Sequence, residues 1–181
     1  MATSLVDMRP SDAILGSLQV ALELKRTIDE NIKPPSAIAA SRDEPVIYMA
    51  IVKGTRGYIE RVAHQANGCY AQGWYDASAV MLRRLLETLI IECYEAHNIA
   101  DRIKDNTGNY FFLRDLVDRL LTEPTWTLGR NVKTVLPKLK ELGDKSAHSR
   151  RFNAHREDLD KVLDALRDTV QELVSIAKLR H

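Results

Sequence analysis

Residues 76–97, DASAVMLRRLLETLIIECYEAH, constrain the fold of this chain more than any other stretch. Ala77, Val80, Met81, Leu85, Leu89 and Ile90 fall at helical spacing and leave little polar surface. A helix that is apolar nearly all round must be covered by neighbours on several sides. This segment is therefore expected to be the central buried helix, with Asp76 as its N-cap.

Five further stretches have helical period. SDAILGSLQVALELKRTIDE carries Ile14, Leu18, Ala21, Leu22 and Ile28 at helical spacing, after the start signal Pro10–Ser11. The loop NIKPPSAIAASRDEP follows, where Pro34 and Pro35 cannot continue a helix. A second helix is expected from about Pro45 to Ala71, weakened locally by Gly54 and Gly57. NYFFLRDLVDRLLTEP reads as a short helix ended by Pro124, with Phe111 and Phe112 packing inward at its start. RNVKTVLPKLKELGDK reads as another. Pro137 implies a kink or a late start there, and Gly143 a natural stop. The last runs from about Ala154 to Leu179 on a stripe of Leu159, Val162, Leu163, Leu166, Val170, Leu173, Val174 and Ala177. No strand-like alternation and no repeat stands out. The expected fold is an all-α bundle of five to six helices in residues 45–181, preceded by an N-terminal helix and linker in residues 1–44.

The chain has 181 residues, of which 45% are hydrophobic and 28% charged, an ordinary soluble composition for one domain. No basic start followed by an apolar run marks a signal peptide, and no apolar run approaches a membrane span. A cytoplasmic protein is expected. Cys69 and Cys93 lie inside apolar helical patterns and read as buried free thiols. No Cys/His cluster has metal-ligand spacing, and KGTRG at 53–57 lacks the pattern of a phosphate loop, so no metal or cofactor is expected. The formal charge of +1 hides an asymmetry. Residues 130–156 hold eight Lys or Arg against Glu141 and Asp144, a net of +6 that leaves the rest of the chain at −5. Such a segment either forms a solvated basic face or attracts an anionic partner.

Two stretches, WYDASAVMLRRLLETLI (74–90) and LKELGDKSAHSRRFNAHREDLDKVLDALRDTV (139–170), together resemble the HEPN superfamily, specifically its prokaryotic members encoded near defence or toxin–antitoxin systems. The first is similar to the family pattern of an aromatic, small residues and Arg-x-x-x-Glu, here Arg83 and Glu87. The second is similar to Arg-x-x-Gly-Asn-x-x-Ala-His before a long helix. Lys140 stands at the family's Arg, Asp144 at its Asn, and His148 matches its His. Lys lacks the planar bidentate fork of Arg, and Asp only accepts hydrogen bonds when ionised. The resemblance covers about residues 45–179 and implies a HEPN-like bundle that pairs symmetrically.

Each constellation has two readings. Arg83 and Glu87, four apart, form either a structural ion pair tying their helix to the fifth or sixth, or part of a dimer interface or ligand pocket. Asp144 either accepts backbone N–H groups in a turn while His148 donates into the core, or His148 lines a pocket beside the basic loop. Arg150 and His155, separated by four residues, fit the spacing of the metal-independent HEPN ribonuclease signature. There His moves the 2′-OH proton and Arg stabilises charge on the phosphate, although Arg151 stands where the family has Asn, Asp or His. TGNYFF suggests base-stacking aromatics as an alternative to inward packing.

Three functions follow as expectations. The first is a dimeric binding module presenting Lys140, Lys145, Arg150, Arg151 and Arg156 to RNA or a nucleotide. The second is a ribonuclease using Arg150 and His155, or His148. The third is a structural subunit for a protein partner. The homodimer is expected on a further ground. The bundle has helices enough to cover one of its two most apolar helices but not both, unless residues 11–30 fold back over the surplus.

Overall fold

In the computed structural model, residues 10–31 and 44–180 are described. The expected Pro34–Pro35 linker lies outside them. The chain divides into two units, residues 1–41 and 42–181. The described part of the first is one helix, α1 (Pro10–Asn31), whose residues 16–27 are all exposed, Leu18, Val20, Leu22 and Leu24 among them.

The second unit is an all-α bundle. It comprises α2 (Met49–Val52), α3 (Gly57–Ala71), α4 (Tyr75–Ala96), a 3-10 turn (Ala100–Ile103), α5 (Leu113–Thr122), α6 (Arg130–His148), α7 (Arg156–Asp160) and α8 (Leu163–Ile176). Among the described residues the only β-pairing is an isolated bridge between Lys104 and Tyr110. No helix among them is long and apolar enough to cross a membrane.

The central helix is the one expected. α4 packs against α3, α5, α6 and α8, and of its residues only Ala77, Arg84 and Glu95 are exposed. α3 meets it through Ile59, Val62, Ala63, Ala66 and Tyr70, a stripe at helical spacing. Small residues are buried on both helices, Ala63 and Ala66 on α3 and Ser78 and Ala79 on α4, and the Ser78 hydroxyl donates to the Ala66 carbonyl at 3.0 Å. α4 ends where Asn98 adopts φ +58, with Ile99 N–H donating to the Tyr94 carbonyl at 3.0 Å. Asn is one of the few non-glycine residues that tolerate this left-handed stop.

Several expected boundaries differ. The helix expected over 45–71 is two helices. Gly54 at φ +80 turns the chain between them, and its N–H donates to Glu60 at 2.8 Å. The helix expected over 154–179 is α7 and α8, parted by a turn at Lys161–Val162, where Val162 has φ −118. α6 begins seven residues before Pro137, so the proline does not set a late start. It also runs through Gly143 to His148, so Gly143 is not its stop. Asp76 lies in the first turn of α4 rather than at its N-cap, which is Trp74. Phe111 packs against the core, but Phe112 is 81% exposed and does not pack inward.

The premise behind the surplus apolar face also fails. Leu166, Val170, Leu173 and Val174 of α8 are buried alongside α4 within residues 44–180, so the bundle covers both helices itself.

Candidate functional site

The site is built on the crossing of α4 and α6. At Gly143 an added Cβ would lie 2.7 Å from the Arg83 Cβ, closer than two carbons can sit. Glycine is needed there because α6 touches the stem of Arg83. That approach brings the Arg83 Nε to within 2.9 Å of the Asp144 carboxylate, whose second oxygen accepts from Lys140 Nζ, also at 2.9 Å. The other end of the Arg83 guanidinium faces Glu87 at 3.6 Å. Partial burial by itself would raise the Asp144 carboxyl, but the hydrogen bonds and charges of Lys140 and Arg83 hold it below the ordinary carboxylate range. Arg83 thus ties α4 to α6, the helix expected as the fifth of the bundle. Asp144 works as the inter-helix acceptor, within a helix rather than a turn. His148 ends α6 on the surface and does not reach the core.

Beyond His148, residues 149–155 loop across the N-terminal end of α4. Ser149 N–H closes α6 on the Lys145 carbonyl at 2.9 Å. Ala154, buried, donates its N–H to the Asp76 carboxylate at 2.9 Å. Asp158 accepts the His155 backbone N–H at 3.0 Å and so caps α7. α7 is held to α3 by Tyr70, whose hydroxyl donates to Asp160 and whose ring lies under the Arg156 guanidinium at 5.8 Å. Both ends of the basic loop are therefore fixed.

The five cations singled out by sequence divide into two sets. Lys140 pairs with Asp144, Lys145 with Glu141 at 2.7 Å and Arg156 with Asp160 at 3.2 Å, each four residues apart on a helix. Arg150 and Arg151 are exposed on the loop and make no ion pair among the described residues. The same holds for Arg130, Lys133 and Lys138 on α6, which belong to the basic segment but carry no motif that singles them out. His148, Arg150 and His155 are all exposed along one short segment.

Two buried charges carry no motif either. Glu92, 3% exposed, accepts from Arg56 Nε at 2.8 Å and from the Tyr58 hydroxyl. Arg167, also buried, donates to the carbonyls of Pro45 at 2.7 Å and Val46 at 3.3 Å, pairs with Glu44 at 3.1 Å, and lies 4.1 Å from the centre of the Tyr48 ring. The sequence does not single them out, since Arg167 stands between Asp164 and Asp168, and Glu92 between Glu87 and Glu95.

The arrangement is a helical bundle with a tethered basic loop at one end. The chain belongs to the domain of unknown function family DUF4145, whose model matches residues 64–180. The match takes in the whole α4–α6 crossing and the loop. No curated protein and no solved structure matches the chain.

Proposed function

We propose that this protein is a HEPN-like binding module that holds RNA or a nucleotide on the loop 149–155 and the adjoining outer face of α6. One observation carries the reading: Arg150 and Arg151 are exposed on a loop anchored at Ala154 and make no ion pair among the described residues, while neighbouring cations are neutralised by their own carboxylates. Cations without internal partners, on a backbone already ordered, meet phosphate at little entropic cost. Arg130, Lys133 and Lys138 extend the basic surface along α6, a helix of 19 residues and so about 28 Å long. Lys140, Lys145 and Arg156 act mainly as structural charges and contribute to the field rather than to direct binding.

Salt dependence tests it. A labelled single-stranded RNA should bind at low ionic strength, with log K falling linearly against log salt. The Arg150→Ala, Arg151→Ala variant should flatten that slope by roughly 1.4, about 0.7 for each phosphate that is no longer neutralised. Absence of binding at low salt, or a slope the variant leaves unchanged, defeats the proposal.

A second reading, metal-independent RNA cleavage, draws on the exposure of His148, Arg150 and His155 along one segment. It requires cleavage in the presence of chelator with a 2′,3′-cyclic phosphate product, and loss of that product in the Arg150→Ala, His155→Ala variant. Undiminished cleavage by this variant rules the assignment out.

The proposal includes a symmetric dimer. With α4 and α8 already covered, the exposed Leu18, Val20, Leu22 and Leu24 of α1 are the apolar surface that a second copy would bury. Light scattering at micromolar concentration should report more than the 20.5 kDa of one chain, and removal of residues 1–41 should leave a monomer. A full chain that scatters as 20.5 kDa removes the dimer.

A further inference from the structure

We infer that Trp74 is a nucleobase-stacking residue beside the basic loop, so that the ligand is a strand with unpaired bases rather than any polyanion. The inference rests on the proposed anion-binding role of Arg150 and Arg151.

Three observations carry it. First, Trp74 occupies the N-cap of α4, where a short polar side chain would satisfy the free N–H groups of the first turn. It makes no side-chain cap hydrogen bond, and it is 53% exposed. Its indole therefore performs neither the local job of that position nor the packing job of a core aromatic. Second, its backbone is fixed. Gly73 at φ +75 turns the chain, Gly73 N–H donates to Tyr70 at 3.0 Å, and Trp74 N–H donates to the Cys69 carbonyl at 2.8 Å. A large aromatic on a rigid turn binds a flat ligand with little loss of freedom. Third, two ties bring this turn against the basic segment. Asp76, two residues on, holds Ala154 of the loop, and Tyr70, four residues before, holds Asp160 and Arg156 of α7, while Tyr70 and Tyr75 meet edge to face at 5.6 Å. An exposed indole on a turn tied to the loop that carries Arg150 and Arg151 combines the two elements by which single strands are held: an aromatic face for bases and cations for the backbone.

Phe112, the most exposed aromatic among the described residues, lacks this setting, and the exposed Tyr48 and Tyr58 are engaged by Glu44 and Glu92 through their hydroxyls. Phe112 follows Tyr110, whose hydroxyl donates to Glu95 in the last turn of α4 at 2.5 Å. That is the opposite end of a 22-residue helix from the basic loop, about 33 Å away along its axis. Asp115 forms part of its local surroundings in the first turn of α5.

The test compares binding of the full chain to oligoadenylate and to inorganic polyphosphate. Parent protein, Trp74→Ala, Trp74→Phe and Phe112→Ala are each titrated with both probes. Trp74→Ala should lose roughly ten- to a hundredfold in affinity for oligoadenylate, the range found for removing a stacked aromatic. Its affinity for polyphosphate should not change, which also shows that the variant is folded. Trp74→Phe should keep most of the oligoadenylate affinity, and Phe112→Ala all of it. If the parent binds polyphosphate but Trp74→Ala loses nothing on oligoadenylate, stacking is overturned and the basic-loop reading survives. Equal loss on both probes makes Trp74 structural and overturns the inference as well. If the parent binds neither probe, the anion-binding reading itself fails, and this inference with it.

Discussion

Replacing Gly143 by Ala sets two effects of opposite sign against each other. Inside an exposed helix the exchange is favourable by about 0.8–1 kcal/mol, because glycine loses more backbone freedom on folding than alanine. At Gly143 the new Cβ would stand 2.7 Å from the Arg83 Cβ and 3.2 Å from its Cγ and Cδ. The Cβ belongs to the rigid stem of the side chain, so relief requires α4 and α6 to move apart rather than a rotamer to change. Overpacking of this kind costs about 1–3 kcal/mol, and the shift also strains the 2.9 Å pair between Arg83 and Asp144. The clash outweighs the propensity gain, and Gly143→Ala should be destabilising. Gly68 supplies the matched control. It lies within α3, is exposed, and has nothing within 4 Å of an added Cβ. Gly68→Ala should therefore stabilise by up to about 1 kcal/mol, raising the melting temperature by roughly 2–4 °C for a chain of this size. Thermal and urea unfolding followed by helical circular dichroism reads both variants. A Gly143→Ala protein as stable as Gly68→Ala would refute the close-approach argument.

Asp144→Asn should lower stability at neutral pH and flatten its acid limb. Lys140 and Arg83 depress the Asp144 carboxyl in the folded state, so its contribution is present above the unfolded value near 3.9 and is lost as pH falls through the folded one. Urea midpoints for parent and variant should converge below about pH 4, and a gap independent of pH would contradict the ion pair. Leu89→Ala, at a fully buried position on the central helix, should cost about 2–5 kcal/mol, measured by the same midpoint shift; a cost below about 1 kcal/mol would show that α4 is not the core. Alkylation should separate the cysteines: half-buried Cys69 reacts in the native state, whereas Cys93, its thiol pushed up by burial and donating to the Leu173 carbonyl at 3.4 Å, reacts only on unfolding.

The helices were legible in the sequence because burial leaves its period there, and the breaks were not because they preserve that period. Val52 and Ile59, on either side of the Gly54 turn, are seven residues apart and both fully buried. So are Leu159 and Leu166, across the break at Lys161–Val162. Two turns of helix and a short break in it deliver the chain to the same face of a core, so apolar spacing alone reads through both. Gly143 failed for a different reason. A glycine near the end of a helical pattern signals either a left-handed stop or a close approach, and only the position of Arg83, 60 residues earlier, decides between them. At the site, Lys140–Asp144 and Glu141–Lys145 stand four apart, but a helix expected to stop at Gly143 would not have paired them, so both lysines read as free cations. The exposure of Trp74 and the hold of Asp76 on Ala154 depend on how α3, α4 and the loop meet, which no local pattern encodes.

The buried charges bear on where the folding unit begins. The family match starts at His64, in the middle of α3. Yet Val46, Ile47, Val52 and Ile59 are fully buried in the common core, each worth about 1.5–3 kcal/mol. Inside the matched region, Arg167 depends on Glu44 and on the Pro45 and Val46 carbonyls, and Glu92 depends on Arg56 and Tyr58. Truncation at residue 64 would strip Glu92 of Arg56 and Tyr58 and leave Arg167 only Asp164, at 3.4 Å. The lost apolar burial alone, about 6–12 kcal/mol for these four side chains, is as large as the whole stability of a typical domain, about 5–15 kcal/mol. A chain starting at residue 64 should therefore not fold cooperatively, whereas one starting at residue 42 should. Near-ultraviolet circular dichroism and urea unfolding distinguish them. A cooperative transition in the shorter chain would show that Arg167 and Glu92 find other partners, and that residues 44–63 are an accessory rather than part of the core.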